Sequence, residues 1–383
     1  MLTIFLIASA ALLLLFVHPY VSYPLSLLAF REQPIRKGAA RRPKSVALLF
    51  AAYNEERSLP AKLDNIAAIK ARYPDIDVVA YSDMSSDRTL EMLLARPDLL
   101  RVVPSTERTG KATGMRHMVA STNAEICIFT DANVILDPAA IDRLLDYFTD
   151  PDVGGVAGTL RYVNDGDSLT AEVSGLYWRL EEWIKRRESR CGSIMGADGS
   201  IFATRRALYP TVPPHLLDDM TVSMSAIFAG YRLIHAEDVI AYEKNATAAS
   251  DEFRRKRRIA CRAFNTHRHL WPQISRSFGR ADRYKYISHK LLRWMGLPIL
   301  ILATLCATGA LLLAGYPLWA LGLWAVAAIG LLLARAHIRP FSQLAEILWS
   351  ISAIFVGLTD SWRGQTIRPG RPPSPETEAP RPA

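Results

Sequence analysis

The chain has 383 residues, half of them hydrophobic and 22% charged, with a formal net charge of +9. That length holds one large domain or two ordinary ones, and the mixture fits a soluble domain joined to membrane segments better than either alone. No nucleic-acid motif accompanies the positive charge, and four isolated cysteines without CxxC spacing indicate neither a zinc site nor a disulfide framework.

Residues Leu2 to Val17 are almost entirely apolar and just long enough to span a bilayer as a helix. No basic residue precedes them and no small-residue cleavage site follows, so a retained anchor is expected rather than a cleaved signal peptide. Between Arg31 and Lys44 lie six basic residues against the single acid Glu32. That is the pattern of a cytoplasmic flank.

From Lys44 onward, "SVALLF" (45–50), "IDVVAYS" (76–82), "LRVVP" (100–104) and "EICIFT" (125–130) read as short apolar strands separated by helical patterns. Alternating strands and helices imply a mostly parallel, doubly wound sheet. Such sheets bind ligands beyond the carboxyl ends of their strands, and polar residues fall there. Tyr53, Asn54 and Glu55 follow the first strand. Asp83 follows the second, where a carboxylate can accept the imide N–H of a uracil, while Ser85, Ser86 and Asp87 suit helix caps. "RTGKATGMR" (108–116) supplies Lys111. Asp131 and Asn133 close the fourth strand. Two oxygen ligands there suit Mg²⁺ or Mn²⁺ completed by a diphosphate, although Asp and Asn after a strand are also ordinary turn and cap residues.

Farther along, "DEFRRKRRIACR" (251–262) spaces Arg254, Arg258 and Arg262 on one helix face. Their mutual repulsion calls for an anionic partner, for which a membrane surface is the simpler candidate. "RYKYISHKLLRWMG" (283–296) looks like an interfacial approach to the membrane. Trp294–Ala314 and Leu318–Ala334 read as membrane helices. Phe341–Leu358, which carries Glu346, is either a further span or an interfacial or re-entrant segment, giving three or four spans in all. The Pro-rich end from residue 360 is expected to be disordered.

"AAYNEE", "SDMSSDRT", "GKATGMR", "FTDAN", "GADGSIFATRR" and "LLDDM" occur in the order seen in family 2 glycosyltransferases, and over Ser45 to Trp294 the chain resembles their membrane-anchored bacterial members. The resemblance implies an inverting enzyme with a GT-A fold, that is, a doubly wound, Rossmann-like mixed sheet. It implies a divalent cation (Mg²⁺ or Mn²⁺), a nucleotide-sugar donor, expected to be a UDP-sugar, and a lipid-linked or saccharide acceptor at the cytoplasmic face of a bacterial inner membrane. The same resemblance places Ala51, Tyr53, Glu55, Asp83 and Lys111 at the nucleotide, Asp131 and Asn133 at the metal, and Asp198 near the sugar. It makes Asp219 the catalytic base supported by Asp218, and sets Arg258 against the departing diphosphate. Asn133 replaces a second Asp, and Arg255 and Ile259 replace the Gln and Trp of processive synthases, which argues against polymer synthesis. Those departures also leave open a non-catalytic nucleotide-sugar-binding scaffold or sensor. His235 is a further candidate metal ligand or an ordinary structural histidine. The expected divisions are an anchor and basic linker (1–43), the catalytic domain (44–272), an interfacial segment (273–293), membrane helices (294–359) and the tail (360–383).

Overall fold

The computed structural model describes residues 1–164, 167–244 and 248–366. Its centre is an eight-stranded sheet: β1 (Val46–Ala52), β2 (Asp77–Ser82), β3 (Arg101–Pro104), β4 (Ile126–Asp131), β5 (Ile135–Leu136), β6 (Val153–Tyr162), β7 (Ile201–Arg205) and β8 (Arg232–Glu243). The spatial order is β3-β2-β1-β4-β7-β6-β8-β5. β1 to β4 are mutually parallel as the sequence predicts, and β7 then runs antiparallel to β4 and β6. The sheet is therefore mixed.

The apolar runs are nearly continuous because helices cover both faces of the sheet. Along β1, Leu48 and Phe50 enter one core, with Leu63 and Ile66 of the 59–72 helix and Leu144 of the 140–147 helix. Ala47 and Leu49 point the other way, into a core shared with Met115, Met118 and Val222. Alternation along an extended strand gives each face its own core.

Two features of register place the candidate site. Ala51 pairs with Asp131 and Ala52 with Ser82, so the segments after β1, β2 and β4 emerge at one edge. Ile201 of β7 pairs with Thr130, and Thr130 donates a 2.8 Å hydrogen bond to the Ser200 carbonyl. The chain before β7 is thereby drawn back across the same edge.

Among the described residues three helices are long and apolar enough to cross a membrane: Gly296–Leu313, Pro317–Arg335 and Phe341–Trp362. Leu2–Val17 and Ser22–Ala29 together pass as a fourth, bent by 68°. Leu2–Val17 lies against Gly296–Leu313, with Ser9 Oγ donating to the Ala303 carbonyl at 3.0 Å and Phe5 packed over Gly309. The Phe341–Trp362 helix behaves differently, because it packs along the Ala249–Ser277 helix. A Cβ on Gly357 would collide with the Arg257 carbonyl, and Arg257 Nε donates to Asp360 at 2.6 Å.

The 283–296 segment differs from a surface-lying approach. Lys285, His289 and Arg293 are buried: Lys285 Nζ lies 2.8 Å from Asp282 and 2.8 Å from the Ser193 carbonyl, and the Leu169–Arg190 helix offers His289 and Arg293 the acids Glu181 and Glu188. His289 lies 2.9 Å from Glu181 and 2.8 Å from Glu188, and Arg293 also binds Glu181. The 341–362 helix runs on to Trp362, past the expected start of the tail at 360, and most of that tail (367–383) lies outside the described residues.

Candidate functional site

The strand ends and the β7 approach segment converge on Gly199. A Cβ placed there would lie 3.2 Å from Lys111 Nζ, 3.4 Å from Asp219 Oδ2 and 3.5 Å from Asp131 Oδ2. Lys111 opens the 111–120 helix, Asp131 ends β4, and Asp218 and Asp219 form the first turn of the 218–228 helix. Acids in a first turn also complement the helix dipole, so capping and site roles coincide. Lys111 Nζ lies 2.5 Å from Asp131 Oδ1 and 3.8 Å from Asp218 Oδ2.

Charge at this point is unbalanced. Burial, then the neighbouring Asp218, pushes the Asp219 carboxyl up to about 7. Burial alone would lower Lys111, but Asp131, Asp218 and Asp219 together hold its affinity for the proton above that of an ordinary lysine. Burial also takes Glu55 up to about 7, opposed by the 2.7 Å hydrogen bond from Ser58 and assisted by Asp131.

Asp83 is 4% exposed and organises the loop before Lys111. Its carboxylate accepts from Thr109 N at 2.8 Å and from Gly110 N at 3.1 and 3.0 Å. Arg108 stacks 3.3 Å over the Tyr53 ring and approaches Asp83 at 4.0 Å. Asn54 takes a left-handed conformation and accepts from Ser86 N at 2.8 Å, tying the first loop to the second. Ala51 lies within β1 beside Asp131.

Asp198 is turned into a buried network. Lys185 Nζ lies 3.0 Å from it, and the Ser200 hydroxyl also donates to it. Burial works against its charge, but Lys185 and Ser200 bring it below the usual carboxylate range. The network continues through Glu182 to His235, whose Nε2 lies 3.1 Å from Glu182. That pairing accounts for His235 without a metal role.

The three arginines expected on one face separate. Arg254 binds Asp251, Arg262 is buried and donates to the Leu216 carbonyl, and Arg258 lies between them. Among the described residues no carboxylate pairs with Arg258. Burial lowers its proton affinity, as do Arg262 and Arg255, while Asp131 acts from the opposite direction. Arg258 is therefore a guanidinium without a paired carboxylate among the described residues, within electrostatic range of Asp131.

Mg²⁺ is commonly held by one or two protein oxygens plus substrate phosphates. Asp131 Oδ2 faces the Gly199 point, and Asn133 spends its Nδ2 on Glu243 at 3.1 Å, leaving its carbonyl oxygen as a ligand atom. Among the described residues no group of three or more His, Cys, Asp or Glu side chains forms a complete metal cage. The donor set thus fits a cation shared with a diphosphate.

Sequence patterns alone missed Gly199, Lys185 and Glu243. Gly199 stood in a quoted motif, and its small size beside Asp198 was the available signal. Lys185 and Glu243 lie in a helix and a strand without local cues.

The family model described as glycosyltransferase like family 2 matches residues 43–261. The poly-β-1,6-N-acetyl-D-glucosamine synthase of Staphylococcus aureus strain COL is 25% identical over 197 residues, covering 50% of this chain and 47% of the relative. The synthase of the same name from Staphylococcus epidermidis is 24% identical over 173 residues, covering 44% and 42%. The chain thus spans about half the length of the curated relatives it matches. Among solved structures, the mannosyltransferase PcManGT from Pyrobaculum calidifontis, in complex with GDP-Man and Mn²⁺, aligns with a TM-score of 0.72 at 21% identity over 94% of this chain and 99% of that one. With the family model matching more than half of its length, the chain belongs to glycosyltransferase family 2.

Proposed function

We propose that this family 2 glycosyltransferase moves a sugar from a nucleoside diphosphate donor to a lipid-linked or polysaccharide acceptor at the cytoplasmic face of a cell membrane, inverting the anomeric carbon. The observation that carries this reading is the convergence of Lys111, Asp131 and Asp219 on Gly199. Asp219 accepts the proton of the acceptor hydroxyl as its oxygen bonds to the anomeric carbon. The bond from that carbon to the diphosphate breaks, and the diphosphate leaves with the electron pair. A carboxyl titrating near 7 is matched to that task at neutral pH. Asp218 keeps Asp219 basic through its charge. Lys111 and Arg258 face the negative charge that develops on the leaving group. Asp131 and Asn133 would hold Mg²⁺ or Mn²⁺, which when bound neutralises diphosphate charge.

Tyr53, Glu55 and the Asp83-organised loop border the nucleotide side of the cleft. The Staphylococcus relatives bear the name of a polysaccharide synthase and PcManGT was solved with GDP-mannose. Both support sugar transfer and leave the donor base to experiment. The apolar helices support an acceptor presented at a membrane. Incubating the detergent-solubilised protein and a bacterial lipid extract with UDP- and GDP-sugars, then identifying products by mass spectrometry, tests this. A glycosylated product with stoichiometric release of nucleoside diphosphate is expected. Absence of both with every donor contradicts it.

A further inference from the structure

Asn133 stands where the family resemblance places a second acid, so the candidate cation site lacks one negative charge from β4. Another strand delivers an acid to the same place. β5 pairs antiparallel with β8, Ile135 with Tyr242 and Leu136 with Ala241. Continuing that register puts Glu243, the last residue of β8, opposite Val134, one residue from Asn133, and Asn133 Nδ2 donates to Glu243 Oε1 at 3.1 Å.

We infer that Glu243 supplies the negative charge that Asn133 lacks, acting as a positioning residue behind Asn133 in the cation site. This rests on the reading that Asp131 and Asn133 hold a divalent cation.

Two roles follow from the contact. The carboxylate fixes the amide rotamer: with Nδ2 turned to Glu243, the carbonyl oxygen is presented on the other side. The carboxylate also adds its charge to that of Asp131. Partners of this kind fix ligand orientation and raise ligand basicity, and their loss typically costs about 10–100-fold in metal affinity. Among the described residues, Asn133 is the one hydrogen-bond partner of the Glu243 side chain, so its placement is not explained by a structural ion pair within bonding distance.

The test is Mn²⁺ affinity, read by electron paramagnetic resonance on the full-length solubilised protein with UDP or GDP present. Glu243→Gln is expected to raise the Mn²⁺ Kd about tenfold or more. Adding Asn133→Asp to that variant returns the missing charge and should bring Kd back to within about threefold of wild type. Asn133→Asp alone gives an independent reading should the Gln variant fold poorly: it places two acids together and should tighten Mn²⁺ binding. A Kd in Glu243→Gln within about twofold of wild type overturns the inference. So does a double variant no better than Glu243→Gln, or weaker binding in Asn133→Asp alone. If the wild-type protein itself binds no Mn²⁺ with either nucleotide, the cation reading falls and this inference with it.

Discussion

Lys111 Nζ lies 2.5 Å from Asp131 Oδ1 and 3.8 Å from Asp218 Oδ2, so one ammonium joins an acid at the end of β4 to the first turn of the 218–228 helix. Those acids are 87 positions apart in sequence, from Asp131 to Asp218. Lys111 also lowers the proton affinity of Asp219, against the larger effects of burial and Asp218. Lys111→Gln should therefore move the acid limb of the pH–rate profile upward by about one unit or more, and weaken nucleotide diphosphate binding. An unshifted limb separates Lys111 from the base.

Asp219 makes stability as well as rate depend on pH. Its carboxyl titrates near 7 when folded, above the ordinary 3.8. A raised carboxyl contributes stability that is fully present below the unfolded value and lost as pH rises through the folded one. Between about 4 and 7 the unfolded chain releases this proton while the folded protein keeps it, so stability falls progressively. Asp219→Asn should melt a few degrees above wild type at pH 8 and lose that advantage near pH 4. Activity of the wild type should fall as pH drops below about 7, because the base is then protonated. Equal melting temperatures at both pH values contradict the buried, raised carboxyl.

Gly199 carries no side chain where one would enter the cleft, 3.4 Å from Asp219 and 3.2 Å from Lys111. Gly199→Ala should keep the fold, since no left-handed conformation is required at this position. Transfer should fall about tenfold or more, because misplacement of reacting groups by an ångström is costly. Wild-type turnover in this variant places the reacting atoms elsewhere.

Arg258 and Arg262 occupy one helix four residues apart but do different work. Arg258→Ala should reduce kcat by about 10²–10³ while leaving the melting temperature unchanged or higher. Arg262→Ala should cost about 1–3 kcal/mol of stability by leaving the Leu216 carbonyl unpaired. The reverse assignment of losses contradicts the placement of charge at Arg258.

The parallel half of the sheet was legible in the sequence because its inner strands β1, β2 and β4 are covered on both faces and read as apolar runs. The polar residues at their ends were legible for the same reason. Asp131 is conspicuous after Ile126–Thr130. What the pattern did not reveal depends on register between distant segments. Glu243 reaches Asn133 only because β5 is laid against β8, and no local signal records that pairing. Lys185 and Glu182 sit on an amphipathic helix where charged residues normally face water, yet here they build the buried network around Asp198 and His235. The basic segment before Gly296 misled similarly, since its partners Glu181 and Glu188 lie about a hundred residues upstream. Helical spacing put Arg254, Arg258 and Arg262 on one face, but the Leu216 carbonyl claims one and Asp251 another.

The measurement that bears most directly on a shared nucleotide and acid cleft is paired binding and turnover in Asp219→Asn. Sugar transfer should drop about 10²–10⁴-fold while the affinity for the donor nucleotide, measured calorimetrically on the same preparation, stays within about threefold of wild type. Retained turnover with intact binding would contradict Asp219 as the base that faces the bound donor.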